Sequence, residues 1–250
     1  MSGHNRWTKI KRKKEAHGAA KGKLFTKLIK EITVAARMGG GDPSGNARLR
    51  SAIDAAREAN MPADNITRAV KKGTGELEGV NYEEALYEGY GPGGVAMIVE
   101  CLTDNRHRTA GDVRSSLAKG GGHLAAEGAV AWHFQRRGVI EVKPGPGEDQ
   151  VMEAAIEAGA EDVVGAGAEG FEVRTDPNDL HHVAAALEAR KIALGARHLA
   201  FVPKETVKIA DPDKARQILR LVDLLDELDD VQRVHANFEI EDRLLEELAR

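Results

Sequence analysis

Cations outnumber acids thirteen to three in the first fifty residues, and their spacing suits the neutralisation of phosphate. Arg6, Lys9, Lys11, Arg12, Lys13 and Lys14 crowd the stretch GHNRWTKIKRKK around one aromatic, Trp7. Each cation can displace a counterion from a phosphate, and an indole offers a stacking face that any base can meet. The competing reading is a solvated segment with Trp7 tucked into a core. The three acids are Glu15, Glu31 and Asp42, so residues 1–50 carry +10 and the remaining two hundred −14, within a net charge of −4. A basic module on an acidic body is the pattern of a protein that meets polyphosphate.

A second candidate is LTDNRHRT, ahead of a helix expected from about Thr109, with Thr109 and Asp112 at capping-box spacing. Arg106 and Arg108 then fall near a helix N-terminus, where the macrodipole disfavours cations. Either an anion held by free amides and both guanidiniums resolves that conflict, or a carboxylate such as Glu100 does. YGPGG and KGGGH are turn sequences, since neither follows a strand and opens a helix. The nine histidines and the single Cys101 form no metal-ligand pattern. Asp223, Asp226, Glu227, Asp229 and Asp230 cluster at a helix C-terminus, where solvent or a basic partner is expected rather than a magnesium ion. With no GxSxG, Cys–His pair or P-loop, the sequence offers no nucleophile, no cofactor site, no metal site and no small-molecule substrate site.

These residues need elements to hold them. Residues 1–22 lack periodicity and read as a flexible basic arm. A helix is expected from about Lys23 to Met38, with Phe25, Leu28, Ile29, Ile32 and Ala36 on one face. Its other face carries Lys23, Lys27, Lys30 and Arg37, which with Lys21, Arg48 and Arg50 extend the basic surface. A second helix is expected over Asn46–Asn60, and a third capped by Asp64 and stopped by Gly73. Beyond Tyr82 the period changes. GVAMIVECL, GAVAWHF, ETVKI and VQRVHANF read as strands around helices at 109–119 and 212–228, while 138–203 reads β-α-β-β-α-β. The expected class is α+β: an N-terminal three-helix domain plus two ferredoxin-like α/β domains, one inserted in the other. The divisions are 23–79, then 80–136 plus 204–241, an insert over 137–203, and a C-terminal tail at 242–250. Cys101 lies in an apolar run and reads as a buried small hydrophobe. No apolar stretch approaches the roughly 18–20 residues of a membrane span, so no membrane partner is expected and the cytoplasm is the expected compartment.

The chain resembles the YebC family of bacterial proteins and their mitochondrial translational activators. The matching stretches are GHNRWTKIK, FTKLIKEITVAARMGGGDPSGNARLR, NMPADNITRAVKKGTGE, YEGYGPGGVAMIVECLTDNRHRT and LDELDDVQRVHANF. His107, His133 and His235 depart from the family pattern, standing for Asn, Met and Tyr. The resemblance implies three domains, nucleic-acid binding, control of gene expression and no enzymatic activity. It carries binding roles onto Gly3, His4, Trp7, Lys9, Lys27, Arg48 and Arg50. Ribosomal RNA is the expected partner, with duplex DNA as the alternative, because base-reading Asn/Gln clusters and an evident recognition helix are missing.

Overall fold

The computed structural model describes residues 18–248 together with Trp7. Three helices come first: α1 (Gly18–Gly39), α2 (Ala47–Glu58) and α3 (Ala63–Thr74). The side chain of Asn46 caps α2 by accepting from the Leu49 amide at 3.0 Å. Its amide group also donates to Ala35 O at 2.8 Å and Gly40 O at 2.9 Å, which fixes the end of α1 to the start of α2. Ile32, Ala36, Leu49, Ile53, Ala56, Ile66 and Ala69 form the helical core. Asp64 is not the cap of α3; Pro62 precedes the helix, and Asp64 lies in the first turn, where its charge suits the macrodipole. Nor does Gly73 stop the helix. It lies inside α3, where an added Cβ would come within 2.4 Å of Thr33 O, and the left-handed Gly75 (φ 84°) terminates the helix.

The rest of the described chain is two four-stranded antiparallel sheets with helices packed on them. The first uses β1 (Glu83–Gly91), β2 (Val95–Thr103), β3 (His123–Leu124) and β9 (Val231–Ala236) in the order β3-β1-β2-β9. Helices α4 (Arg106–Lys119) and α7 (Pro212–Asp226) supply Val113, Leu117, Ile218, Leu221 and Leu225 to its core. The second uses β4 (Phe134–Val142), β5 (Asp162–Gly165), β6 (Phe171–Thr175) and β7 (Leu194–Pro203), ordered β5-β6-β4-β7 and backed by α5 (Glu148–Glu157) and α6 (Leu180–Ala189). That order with β-α-β-β-α-β succession is the ferredoxin-like arrangement. The whole second sheet lies in sequence between β3 and β9 of the first. A short parallel pair, β8 (Val207–Lys208) with β10 (Phe238–Glu239), and helix α8 (Asp242–Leu248) complete the chain.

The first sheet departs from the expected strands. β1 pairs with β2 along its full length, although its sequence EEALYEGYG carries three acids. GAVAWHF is a turn and a 3-10 segment, and only Phe134 belongs to a strand, in the other sheet. The cause is Glu88, a buried carboxylate that accepts from the amides of Gly128, Val130 and Ala131 at 2.7, 2.6 and 2.9 Å. Amides committed to a carboxylate are unavailable to a ladder. Apart from Glu100 and Thr103, β2 is apolar because both its faces are covered: Met97, Val99 and Cys101 meet α4 and α7, while Ala96 and Ile98 meet Val130, Phe134 and Phe201. No described helix is long and apolar enough to cross a membrane.

Candidate nucleic-acid interface

Three of the four lysines of α1 bond to the body of the protein instead of standing free. Lys23, Lys27 and Lys30 recur at helical spacing, and that row meets the C-terminal end of α7 and the turn after it. Lys23 Nζ donates to Glu227 O at 3.2 Å, Lys27 Nζ to Asp226 O at 2.9 Å and Lys30 Nζ to Asp229 O at 2.9 Å. The carbonyls of Asp226 and Glu227 are among those a helix leaves without partners at its negative end, and that of Asp229 lies in the turn just beyond, so three ammonium groups are favourable there. Residues 32–36 of α1 are all buried, since the helix packs on α2 and α3 and is covered on the side facing the first sheet as well.

Asp230 gathers the deepest part of this contact. Its carboxylate accepts from Lys30 Nζ at 2.7 Å, Arg108 at 2.8 Å, Thr109 Oγ1 at 2.7 Å and Thr103 Oγ1 at 3.2 Å. Partial burial pushes its pKa upward, but hydrogen bonds from Arg108, Lys30 and Thr109 outweigh that and hold it at about 2. Lys30 is only 7 % exposed. Burial, with the nearby carboxylates of Asp230 and Glu100 adding to it, pushes the Cys101 thiol up to about 12, so it is a protonated core residue.

Helix α4 begins earlier than expected, at Arg106, because Asn105 is the cap and accepts from the Arg108 amide at 3.0 Å. Thr109 is therefore buried one turn in and bonded to Asp230 rather than capping. Of the two readings for Arg108, the carboxylate one describes the geometry: Asp104 lies at 2.7 Å and Asp230 at 2.8 Å. Glu100 is not the partner; it bonds His235 across the β2–β9 pair, and its pKa falls because that bond and Arg233 and Arg136 outweigh burial. Arg106 is exposed and donates to Glu84 O at 3.3 Å.

The other candidates are placed as follows. Trp7 is half-buried against the core of the first sheet, and its Nε1 donates to Asp223 at 3.0 Å, which gives the packed reading rather than a free stacking face. His4, Arg6, Lys9, Lys11, Arg12, Lys13 and Lys14 lie outside the described residues. Lys21 is exposed, its ammonium 5.5 Å from the centre of the Phe25 ring. Arg37 is exposed and bonds Asn81 and the carbonyl of Tyr82. Arg48 bridges Glu31 at 2.7 Å and Glu84 at 2.6 Å, tying α1 and α2 to β1. Arg50 reaches the carbonyls of Pro43 at 3.2 Å and Ser44 at 3.4 Å. A further bridge, Asp54 to Arg197 at 3.4 Å, joins α2 to β7 of the second sheet. The acidic cluster thus has its basic partner within the chain, and no group of three or more metal-ligating residues converges among the described residues.

Sequence reasoning missed Arg68, Lys71 and Lys72. All three are exposed on α3 at i, i+3 and i+4, and no carboxylate among the described residues is paired with them. The signal was present in NITRAVKKG, where cations alternate with Ile66, Ala69 and Val70 at helical spacing. The fold leaves these three in solvent as a group on one helix face.

Comparison with known proteins places these features in context. Residues 5–76 match the TACO1/YebC protein N-terminal domain, and residues 82–238 match the TACO1/YebC second and third domain. A probable transcriptional regulatory protein of Myxococcus xanthus is 64% identical over 248 residues, covering 99% of each chain. One from Desulfotalea psychrophila is 55% identical over 250 residues, covering 100% of each. The crystal structure of a conserved hypothetical protein, Aq1575 from Aquifex aeolicus, superposes with a TM-score of 0.84 at 49% identity, over 90% of this chain and 92% of that one.

Proposed function

Because the chain belongs to the TACO1/YebC family, we propose that it is a non-enzymatic cytoplasmic regulator of gene expression that acts by holding nucleic acid, RNA of the ribosome in the first place. The observation that carries this reading is the concentration of positive charge at the N-terminal end of an otherwise acidic chain, +10 against −14. Six cations in GHNRWTKIKRKK precede α1, and Arg68, Lys71 and Lys72 add an exposed basic face on α3 with no carboxylate paired to it among the described residues. Phosphate is the ligand that such a distribution attracts without regard to base sequence. The lysine row of α1 has a different task in this reading. It seats the helical domain on the acidic end of α7, so that the basic arm and α3 are presented by a fixed body rather than a loosely tethered one.

A second reading, a duplex-DNA-binding regulator of transcription, is favoured by the name its relatives carry. Against it, the exposed cations of α3 stand without a cluster of Asn and Gln beside them to read adenine edges in the major groove. Sedimentation of lysate through sucrose at low and moderate salt separates the two. Co-migration with ribosomes that weakens with salt supports the first reading. Absence from ribosomal fractions, with retention on duplex DNA, replaces it with the second.

A further inference from the structure

We propose that Trp132 is a preformed stacking platform for one unpaired base, a contact separate from the basic arm and α3. This inference rests on the reading that the protein binds nucleic acid, and it names the form of nucleic acid recognised.

Among the described aromatic residues, Trp132 is the one in the exposed class, with 62% of its surface in solvent, and yet it is held rather than free. It sits on a 3-10 turn, Ala131–His133, between two anchors, the fully buried Val130 and the 5%-exposed Phe134. Three amides of that loop are fixed by the buried Glu88, and the carbonyl of Ala129 accepts both from Trp132 Nε1 at 3.0 Å and from Tyr90 OH at 3.1 Å. Two polar tethers and two apolar anchors therefore set the direction of a ring that contributes little to the core. Side-chain ordering has an entropic cost, and a turn that meets this cost for an exposed indole has the form of a preorganised contact.

The chemistry of the exposed part selects the partner. The indole N–H, its one hydrogen-bonding group, is already used inside the turn, so only the ring face is offered. One side of the ring is covered by His133, with centroids 3.4 Å apart and planes inclined by 30°, while most of the residue's surface stays in solvent. A flat partner without a matching hydrogen-bond demand completes that stack, and a nucleobase is such a partner. Lys204, exposed, is brought alongside by its backbone amide, which donates to His133 O at 2.8 Å; its ammonium can reach a neighbouring phosphate. Exposed Glu127, ahead of the turn, and exposed Glu205, next to Lys204, offset Lys204 and the exposed Arg136, so the site is close to neutral and its affinity comes from stacking rather than from counterion release. A protein side chain seated on the ring is the competing occupant. The lack of a free donor at the ring and the adjacent cation favour the base.

The test uses the full chain, an unstructured single-stranded RNA of about twelve nucleotides and a blunt duplex of equal length. Trp132→Ala should weaken the single strand about 5- to 150-fold, the range expected when one stacked base is lost, while Trp132→Phe retains most of the affinity. The salt slope should change by less than one unit, and duplex affinity should stay the same, because paired bases cannot enter the stack. Indole emission should fall on adding the single strand and not in the Phe variant. If Trp132→Ala binds the single strand as the parent does, the platform is overturned while the binding reading stands. If the parent binds neither probe at low salt, both fall. Loss of a captured protein with RNA affinity unchanged assigns the ring to a protein and likewise overturns the proposal.

Discussion

Replacing Asp230 with Ala should loosen the seat of the helical domain. The carboxylate accepts four hydrogen bonds, two of them from cations, and Lys30 is buried beneath it. Removing one partner of a buried pair costs about 3–5 kcal/mol, chiefly because the remaining charge has no counter-charge. Lys30 keeps the carbonyl of Asp229 at 2.9 Å and lies 3.5 Å from that of Leu102, which argues for the low end, about 3 kcal/mol. The pH dependence follows from the same contacts. A folded pKa of about 2, below the ordinary carboxylate value, means that the stabilisation is fully present above about pH 5 and is lost as pH falls toward 2. The full shift corresponds to about 2.5 kcal/mol, and solvent screening at the half-exposed Arg108 reduces it to about 1–2. Urea unfolding at pH 7 and at pH 3, in Asp230→Ala and its parent, measures both quantities. The variant should be less stable at pH 7 and the difference should shrink at pH 3. Adding Lys30→Met should recover part of the loss, since it removes the orphaned charge. Equal stability of variant and parent at pH 7, or a difference that grows on acidification, would refute the reasoning.

Arg108→Ala should lower the unfolding midpoint and leave RNA affinity unchanged, because its partners are Asp104 and Asp230; lost affinity with unchanged stability would return Arg108 to a phosphate site. Gly73→Ala should destabilise the helical domain by about 1–3 kcal/mol, since the added methyl meets Thr33 O at 2.4 Å and Ala36 Cβ at 2.7 Å; helix propensity alone would give the opposite sign. Residues 134–203 expressed alone should unfold cooperatively, because all four strands and both helices of their sheet are present, whereas 80–133 alone should not, lacking β9 and α7. Both are read by urea titration of the isolated fragments followed by circular dichroism.

Much of this was legible. The 3.6-residue stripe of Phe25, Leu28, Ile29 and Ile32 marks α1, and the Gly- and Pro-punctuated apolar runs of 138–203 mark six elements in order, because each signal is local. The misses were long-range. Glu88 hides the alternation of β1 by being a buried acid, and it also converts GAVAWHF from an apparent strand to a turn forty residues away. Lys30 looks like a solvated cation until Asp230 arrives from the far end of the chain. A basic helix face and an acidic helix end were both visible in the sequence, but nothing in local spacing states that they meet. Arg68, Lys71 and Lys72 were passed over because charge was summed over the first fifty residues alone.

The central claim, that N-terminal charge binds nucleic acid through phosphate, is tested most directly by the salt dependence of RNA affinity. Removing residues 1–22 wholesale would also strip Trp7 from the core and cut into α1, so the sharper comparison replaces Lys11, Arg12, Lys13 and Lys14 with Gln in the full chain. For the parent, with about five phosphates neutralised, log K should fall against log salt with a slope of roughly −3.5 to −4.5. The variant should bind far more weakly at low salt with a slope shallower by about three, and its unfolding midpoint should be unchanged. A parental slope near zero, or a variant with the parent's slope and affinity, would contradict the account.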